Sequence, residues 1–112
     1  MSICISGCIG NTPLIKIRDN LYAKLETVNP SGSIKDRMAC YILDHAEGNG
    51  EIKPGSVIVE ATSGNTGIAF SMLAASRGYK MVVVMPSNMS EERKKMIKSF
   101  GAEIVEVGSG DF

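Results

Sequence analysis

The stretch Val57-Ile58-Val59-Glu60-Ala61-Thr62-Ser63-Gly64-Asn65-Thr66-Gly67 runs an apolar segment into a polar, glycine-containing turn. In parallel sheets, ligands sit beyond the carboxyl ends of strands, where the first N–H groups of the next helix point outward. Gly64 lets backbone come close to a ligand, and Ser63, Asn65 and Thr66 supply side-chain donors. The pattern is neither G-x-G-x-x-G nor a P-loop, since no Gly-Lys-Ser/Thr follows. It favours a small anion, a carboxylate rather than a nucleotide pyrophosphate. An ordinary strand-to-helix turn with a cap is the alternative these residues leave open.

A second stretch, Ser31-Gly32-Ser33-Ile34-Lys35-Asp36-Arg37, places a lysine where a helix is expected to start. A cation in the first turn is opposed by the helix dipole by ~0.3–1 kcal/mol. The same placement lowers the amine's pKa, which a lysine needs if it is to attack a carbonyl and form a Schiff base. The competing reading is a solvated lysine offset by Asp36, and on these residues alone it is preferred.

Other residues offer less. Cys4 and Cys8 are two thiols where a tetrahedral zinc site takes four ligands, and His45, the single histidine, is remote in sequence. No metal is expected, and the three cysteines read as small hydrophobes. His45 reads as a surface residue. Lys94, Lys95 and Lys98 mix with Glu91 and Glu92, the pattern of a solvated helix face. Met72, Met81, Met85 and Met96 read as packing.

The elements that must position these residues follow from periodicity. Thr12–Ile17 and Leu21–Glu26 alternate apolar and polar residues, as half-buried strands do, around a turn at Arg18-Asp19-Asn20. Asn29-Pro30-Ser31-Gly32 is a loop by composition. A helix is expected from Ser33 to about Glu47, with Ser33 and Asp36 as a capping box, Ile34, Met38, Tyr41 and Ile42 as its apolar stripe, and Gly48 as its end. Val57–Val59 and Met81–Met85 read as strands covered on both faces. Helices are expected from Thr66 to Arg77, closed by Gly78, and after Ser90, ending at Gly101 with Arg93, Met96, Ile97 and Phe100 on one face. Ile104–Val107 is the last strand.

Strand starts at Val57, Met81 and Ile104 fall at nearly equal intervals, each holding one helix. That is repeated βα crossover, hence a parallel sheet with right-handed connections. The expected fold is α/β: a small three-layer αβα domain with a parallel sheet of about three to four strands, preceded by two short N-terminal strands. A sheet this small rarely covers both of its faces, so the chain reads as unfinished.

Composition narrows the classes. The 112 residues suit one domain. Hydrophobic residues at 44% and charged residues at 21% are those of a globular protein. Twelve Lys+Arg balance twelve Asp+Glu, which leaves no basic field to attract nucleic acid or anionic lipid. No apolar run reaches the ~18 residues of a membrane span, and the N-terminus lacks the form of a secretory signal. Three cysteines without an export signal fit a reduced, cytoplasmic protein.

Four motifs in order resemble the cysteine synthase (O-acetylserine sulfhydrylase) family of PLP-dependent, tryptophan-synthase-like enzymes. They are Gly10–Leu14, Asn29–Arg37, Thr62–Gly67, and Met85-Pro86 through Met89–Arg93 to Gly101–Glu103. The resemblance runs from about Ile9 to Val107. It implies that Lys35 forms the internal aldimine with pyridoxal 5'-phosphate. It further implies that Asn65 bonds the cofactor's ring hydroxyl and that Thr62, Ser63, Gly64 and Thr66 hold the substrate carboxylate. In the family's reaction O-acetylserine loses acetate, Lys35 serves as base, and sulfide adds to give cysteine. The turn favours cysteine synthase or its relative cystathionine β-synthase over the threonine dehydratase branch.

By the same resemblance, residues 1–32 belong with a large domain and residues 33–112 form the small domain. The family's glycine-rich phosphate loop and the group that meets the pyridine nitrogen have no counterpart in this stretch. The chain alone is therefore expected to bind PLP weakly and to be inactive. The rival is a non-catalytic assembly module, paired with a second copy or with a complementing C-terminal polypeptide. An active enzyme assembled from such pieces ranks third.

Overall fold

The structure is a computed structural model, and it describes residues 4–111. Strands β1 (Leu14–Arg18) and β2 (Leu21–Lys24) form an antiparallel hairpin. Asn20 takes the left-handed conformation in its turn, one that short polar side chains tolerate. The hairpin is the one expected, but its burial is not. Leu14, Ile17 and Tyr22 are all exposed, so alternation here leaves both faces open.

Helix α1 (Lys35–Gly48) leads to β3 (Val57–Ala61), α2 (Asn65–Arg77), β4 (Lys80–Pro86), α3 (Glu91–Ser99) and β5 (Glu103–Val107). The three later strands pair in parallel in the order β3-β4-β5. Gly78 closes α2 in the left-handed conformation, and the Ser90 hydroxyl caps α3 by accepting from Arg93 N. These ends match the expected ones.

The α/β class, the three parallel strands and the two N-terminal strands are as expected. The layering differs. Successive right-handed crossovers taken in one direction put α2 and α3 on the same face of the sheet. That face buries Met81, Val83 and Met85 against Ile68, Leu73 and Ile97, while α1 packs chiefly on α2. The opposite face carries Val57, Val59 and Val105, and Val59 is 61% exposed. Among the described residues the sheet is thus covered on one face, and the apolar run of β3 is not buried on both.

Helix α1 also turns an unexpected side inward. Ile34, Met38, Tyr41 and Ile42 are exposed, and Asp36, Ala39, Leu43 and Ala46 are buried. Both stripes have helical spacing. The one with two alanines lets α1 approach α2 closely, and close approach maximises van der Waals contact. Met96 is likewise exposed while Met72, Met81 and Met85 are buried, so three of the four methionines read as packing do pack.

Candidate functional site

Helices α1 and α2 run side by side in the same direction. Their carboxyl ends are tied together: Arg77 contacts Asp44 at 2.8 Å and Glu47 at 3.0 Å, and the Tyr79 hydroxyl donates to Glu47 at 2.7 Å. From that joint each helix runs back about the same number of turns, at ~1.5 Å per residue. Lys35 and Asn65, the first residues of α1 and α2, therefore both stand at the end away from that joint. The carboxyl ends of β3, β4 and β5 open onto this end as well.

Lys35 is exposed, and its backbone N–H donates to Ser33 Oγ at 3.2 Å. The expected capping box does not form. Asp36 is fully buried and turns the other way, accepting from Ser31 N at 2.8 Å and from the Ser31 hydroxyl. Burial explains the choice, since a carboxylate out of water needs donors that also leave water. One residue on, Arg37 reaches back to the hairpin stem. It donates to Glu26 at 2.6 Å and to Thr12 Oγ1 at 3.1 Å, and Thr12 also donates to Glu26. Asn29 accepts from Gly10 N at 2.8 Å. Arg37, and then the Thr12 hydroxyl, hold the Glu26 carboxyl down to about 2. The motifs at 10–14 and 29–37 thus form one connected network that fixes the turn carrying Lys35.

At the second turn, Thr62 is buried and its Oγ1 accepts from Gly64 N at 3.2 Å and Gly67 N at 3.3 Å. A hydroxyl has two acceptor positions and one proton, so that proton remains free to donate. Ser63 and Asn65 are exposed and Thr66 is half-buried. Among the described residues no hydrogen bond uses the N–H of Ser63, Asn65 or Thr66. Three free N–H groups at a helix N-terminus suit an anion. Gly67 has a packing reason: a Cβ there would meet Thr62 Cγ2 at 2.6 Å and Val83 Cγ1 at 3.2 Å.

Sequence reading missed three contacts at this end. Arg93 Nη1 donates to Ser63 O at 2.9 Å, and a Cβ on Gly64 would stand 2.4 Å from the same nitrogen. Lys94, read as solvated, is buried and donates to Ser87 O at 2.9 Å and Glu106 at 2.8 Å. Its bond to Glu106 raises the ammonium's pKa and lowers that of the carboxyl. The Ser31–Asp36 clamp is the third. Side-chain contacts of this kind leave no periodic trace, although all of these residues except Glu106 lie within one of the four motifs or next to one.

Of the remaining candidates, His45 is exposed and stacked on Tyr41. Cys4 and Cys8 are exposed, unlike packed hydrophobes, and burial pushes the Cys40 thiol up, away from reactivity. Among the described residues no group of three or more His, Cys, Asp or Glu could hold a metal, and no helix is long and apolar enough to cross a membrane.

The profile of the family described as "Pyridoxal-phosphate dependent enzyme" matches residues 5–112. Cysteine synthase B of Salmonella typhimurium strain LT2 is 53% identical over 104 residues, covering 87% of this chain and 34% of the relative. Cysteine synthase B of Pseudomonas syringae pv. syringae is 46% identical over 114 residues, covering 96% of this chain and 68% of the relative. The crystal structure of an O-ureido-L-serine synthase superposes with a TM-score of 0.92 at 41% identity, over 98% of this chain and 37% of the other. The chain therefore spans about a third of the length of most of these similar proteins.

Proposed function

The chain belongs to the pyridoxal-phosphate dependent enzyme family, and from that membership we propose that it is the N-terminal part of a cytoplasmic cysteine synthase, which makes L-cysteine from O-acetylserine and sulfide. The observation that carries the reading is the shared end of α1 and α2. An exposed lysine stands in the first turn of one helix, and three free N–H groups mark the start of the other.

Pyridoxal phosphate is the family's cofactor, and the donor set fits it. An exposed amine suits its aldehyde, an exposed amide suits its ring hydroxyl, and free N–H groups with a hydroxyl proton suit a substrate carboxylate. When bound, the cofactor supplies an electron sink for charge developing at the substrate's α-carbon. Lys35 would provide the covalent anchor and then carry the α-proton on Nζ. The Asn65 amide would orient the ring. The N–H groups at 63, 65 and 66, with the Thr62 hydroxyl, would hold the carboxylate so that the α-proton lies within reach of Lys35.

In this reading residues 1–32 pack with a large domain and residues 33–112 are the small one. On the same reading the phosphate site of the cofactor lies outside this stretch, and the 112 residues by themselves are expected to hold the cofactor weakly and not to turn over. The test is borohydride reduction of the chain with added pyridoxal phosphate, followed by peptide mapping. One pyridoxyl adduct at Lys35, absent from K35R, is expected. Adducts spread evenly over the lysines would overturn the reading.

The exposed hairpin and the open sheet face favour a second reading, an assembly module that pairs with a second copy or with a separate C-terminal polypeptide. Sedimentation velocity of the pure chain tests the first of these. A monodisperse monomer at 100 µM, as an order of magnitude, would remove the second copy from consideration.

A further inference from the structure

We propose that Arg93 is the positioning residue of the anion turn: its guanidinium locks the Ser63–Gly64 peptide so that the N–H groups of Ser63, Asn65 and Thr66 stay available to a carboxylate. The identity of that anion as a substrate carboxylate rests on the function proposed above; the lock itself does not.

The peptide is gripped from both sides. Its carbonyl oxygen accepts from Arg93 Nη1 at 2.9 Å, and its N–H donates to Thr62 Oγ1 at 3.2 Å. In a trans peptide those two groups point in opposite directions, so the two bonds together fix its plane. Released, the plane could rotate its carbonyl oxygen toward the end of α2, where a negative dipole end would repel an anion.

The guanidinium occupies a seat that glycine leaves vacant. A Cβ on Gly64 would lie 2.4 Å from Nη1 and 3.1 Å from Cζ of Arg93. Gly64 is extended, with φ −176°, so the space for Arg93 is what its lack of a side chain provides.

Arg93 is also unlike the two arginines of the networks described above. Arg37 and Arg77 are paired with carboxylates, whereas among the described residues none lies within ion-pair distance of Arg93. Its charge is left beside a turn built for anions. The backbone that carries it is well anchored. Arg93 N donates to the Ser90 cap, and the next residue, Lys94, ties α3 to Ser87 and to Glu106 on β5.

The experiment is residue-resolved amide exchange of the full chain, wild type against R93M, R93K and G64A. In R93M the Gly64 and Gly67 amides, which bond Thr62 Oγ1, should exchange on the order of tenfold faster, the low end of a charge-assisted hydrogen bond. R93K should restore part of the protection through a single donor. G64A puts a methyl group in the guanidinium's seat and should match R93M although α3 is untouched. Wild-type exchange at Gly64 and Gly67 in R93M would overturn the proposal. So would equal acceleration of the α3 amides, which would mean ordinary fraying. The readout needs neither cofactor nor substrate, so a failed Lys35 adduct would sink the function and leave the lock standing, and the reverse also holds.

Discussion

The turn that carries Lys35 and the turn from Thr62 to Gly67 lie at the same end of the molecule, yet the first hangs on carboxylates and the second on close-packed neutral groups. Asp36 holds Ser31, and Glu26 gathers Arg37 and Thr12 from separate elements. Around the second turn Gly67 is wedged against Thr62 and Val83, the Thr62 hydroxyl holds two N–H groups, and Arg93 is the charged exception. The first turn is therefore tied to an exposed hairpin by bonds that acid can break. The second is tied to the core of α2 and β4 and should stay ordered until that core melts.

The largest effect should come from the buried carboxylate. D36A leaves the Ser31 N–H and hydroxyl without their acceptor in a buried place, a cost of about 2–3 kcal/mol in urea unfolding. The comparison makes a sharper claim about where the damage falls. Amides of residues 33–38 should exchange faster in D36A beyond the global loss, while those of 62–67 follow the global loss alone. Equal extra opening at both turns would show that they form one cooperative unit and would break the distinction.

Much of this arrangement was legible in the sequence, and what was not has a physical pattern. Helix ends were readable because their signals are local: Gly78 in a left-handed cap, Ser90 bonding a residue three ahead. The parallel sheet was readable because one strand and one helix recur at a regular spacing. The buried face of α1 is not legible because two stripes share one periodicity, and the bulky Ile34, Met38, Tyr41 and Ile42 outweigh the small Ala39 and Ala46 in any count of hydrophobicity. Small size is what allows a tight helix contact, and hydropathy does not measure it. The open faces of β1, β2 and β3 are hidden from the sequence for a related reason. Apolar alternation says that a face suits burial, and nothing about which residues bury it. At the two turns, the capping-box pattern pairs Asp36 with Ser33 where the structure pairs it with Ser31, and helical spacing sets Arg93 beside Met96, Ile97 and Phe100 where the structure turns it to Ser63. The Ser31–Asp36 bond is local and is decided by burial of the carboxylate, whereas the Ser63–Arg93 bond spans thirty residues and depends on how the chain returns on itself.

A smaller and more selective perturbation is protonation of Glu26. Its carboxyl is held down to about 2 from an ordinary 4.5, first by Arg37 and then by Thr12. A carboxyl with a lowered folded-state pKa contributes its full stability above the unfolded value and loses it as pH falls toward the folded one. Glu26 should therefore support the fold fully above about pH 4.5 and progressively less down to about pH 2. E26Q removes the group that titrates. Glu47 and Glu106 also have lowered pKa values, held by Tyr79 with Arg77 and by Lys94, but they titrate alike in both proteins. The difference between wild type and E26Q, measured by urea unfolding from pH 6 to pH 2, then isolates Glu26. It should be constant above pH 5, shrink between 4.5 and 2, and vanish at the acid end. Exchange at pH 3 supplies the location: the amides around Arg37 should lose protection that the amides of 62–67 keep, because the opened Glu26 carboxyl, with its ordinary pKa, takes up a proton there and favours release of the first turn, while the packing of the second is untouched. A pH-independent difference would mean that Glu26 acts by shape and not by charge, and the contrast between the two turns would lose its electrostatic half.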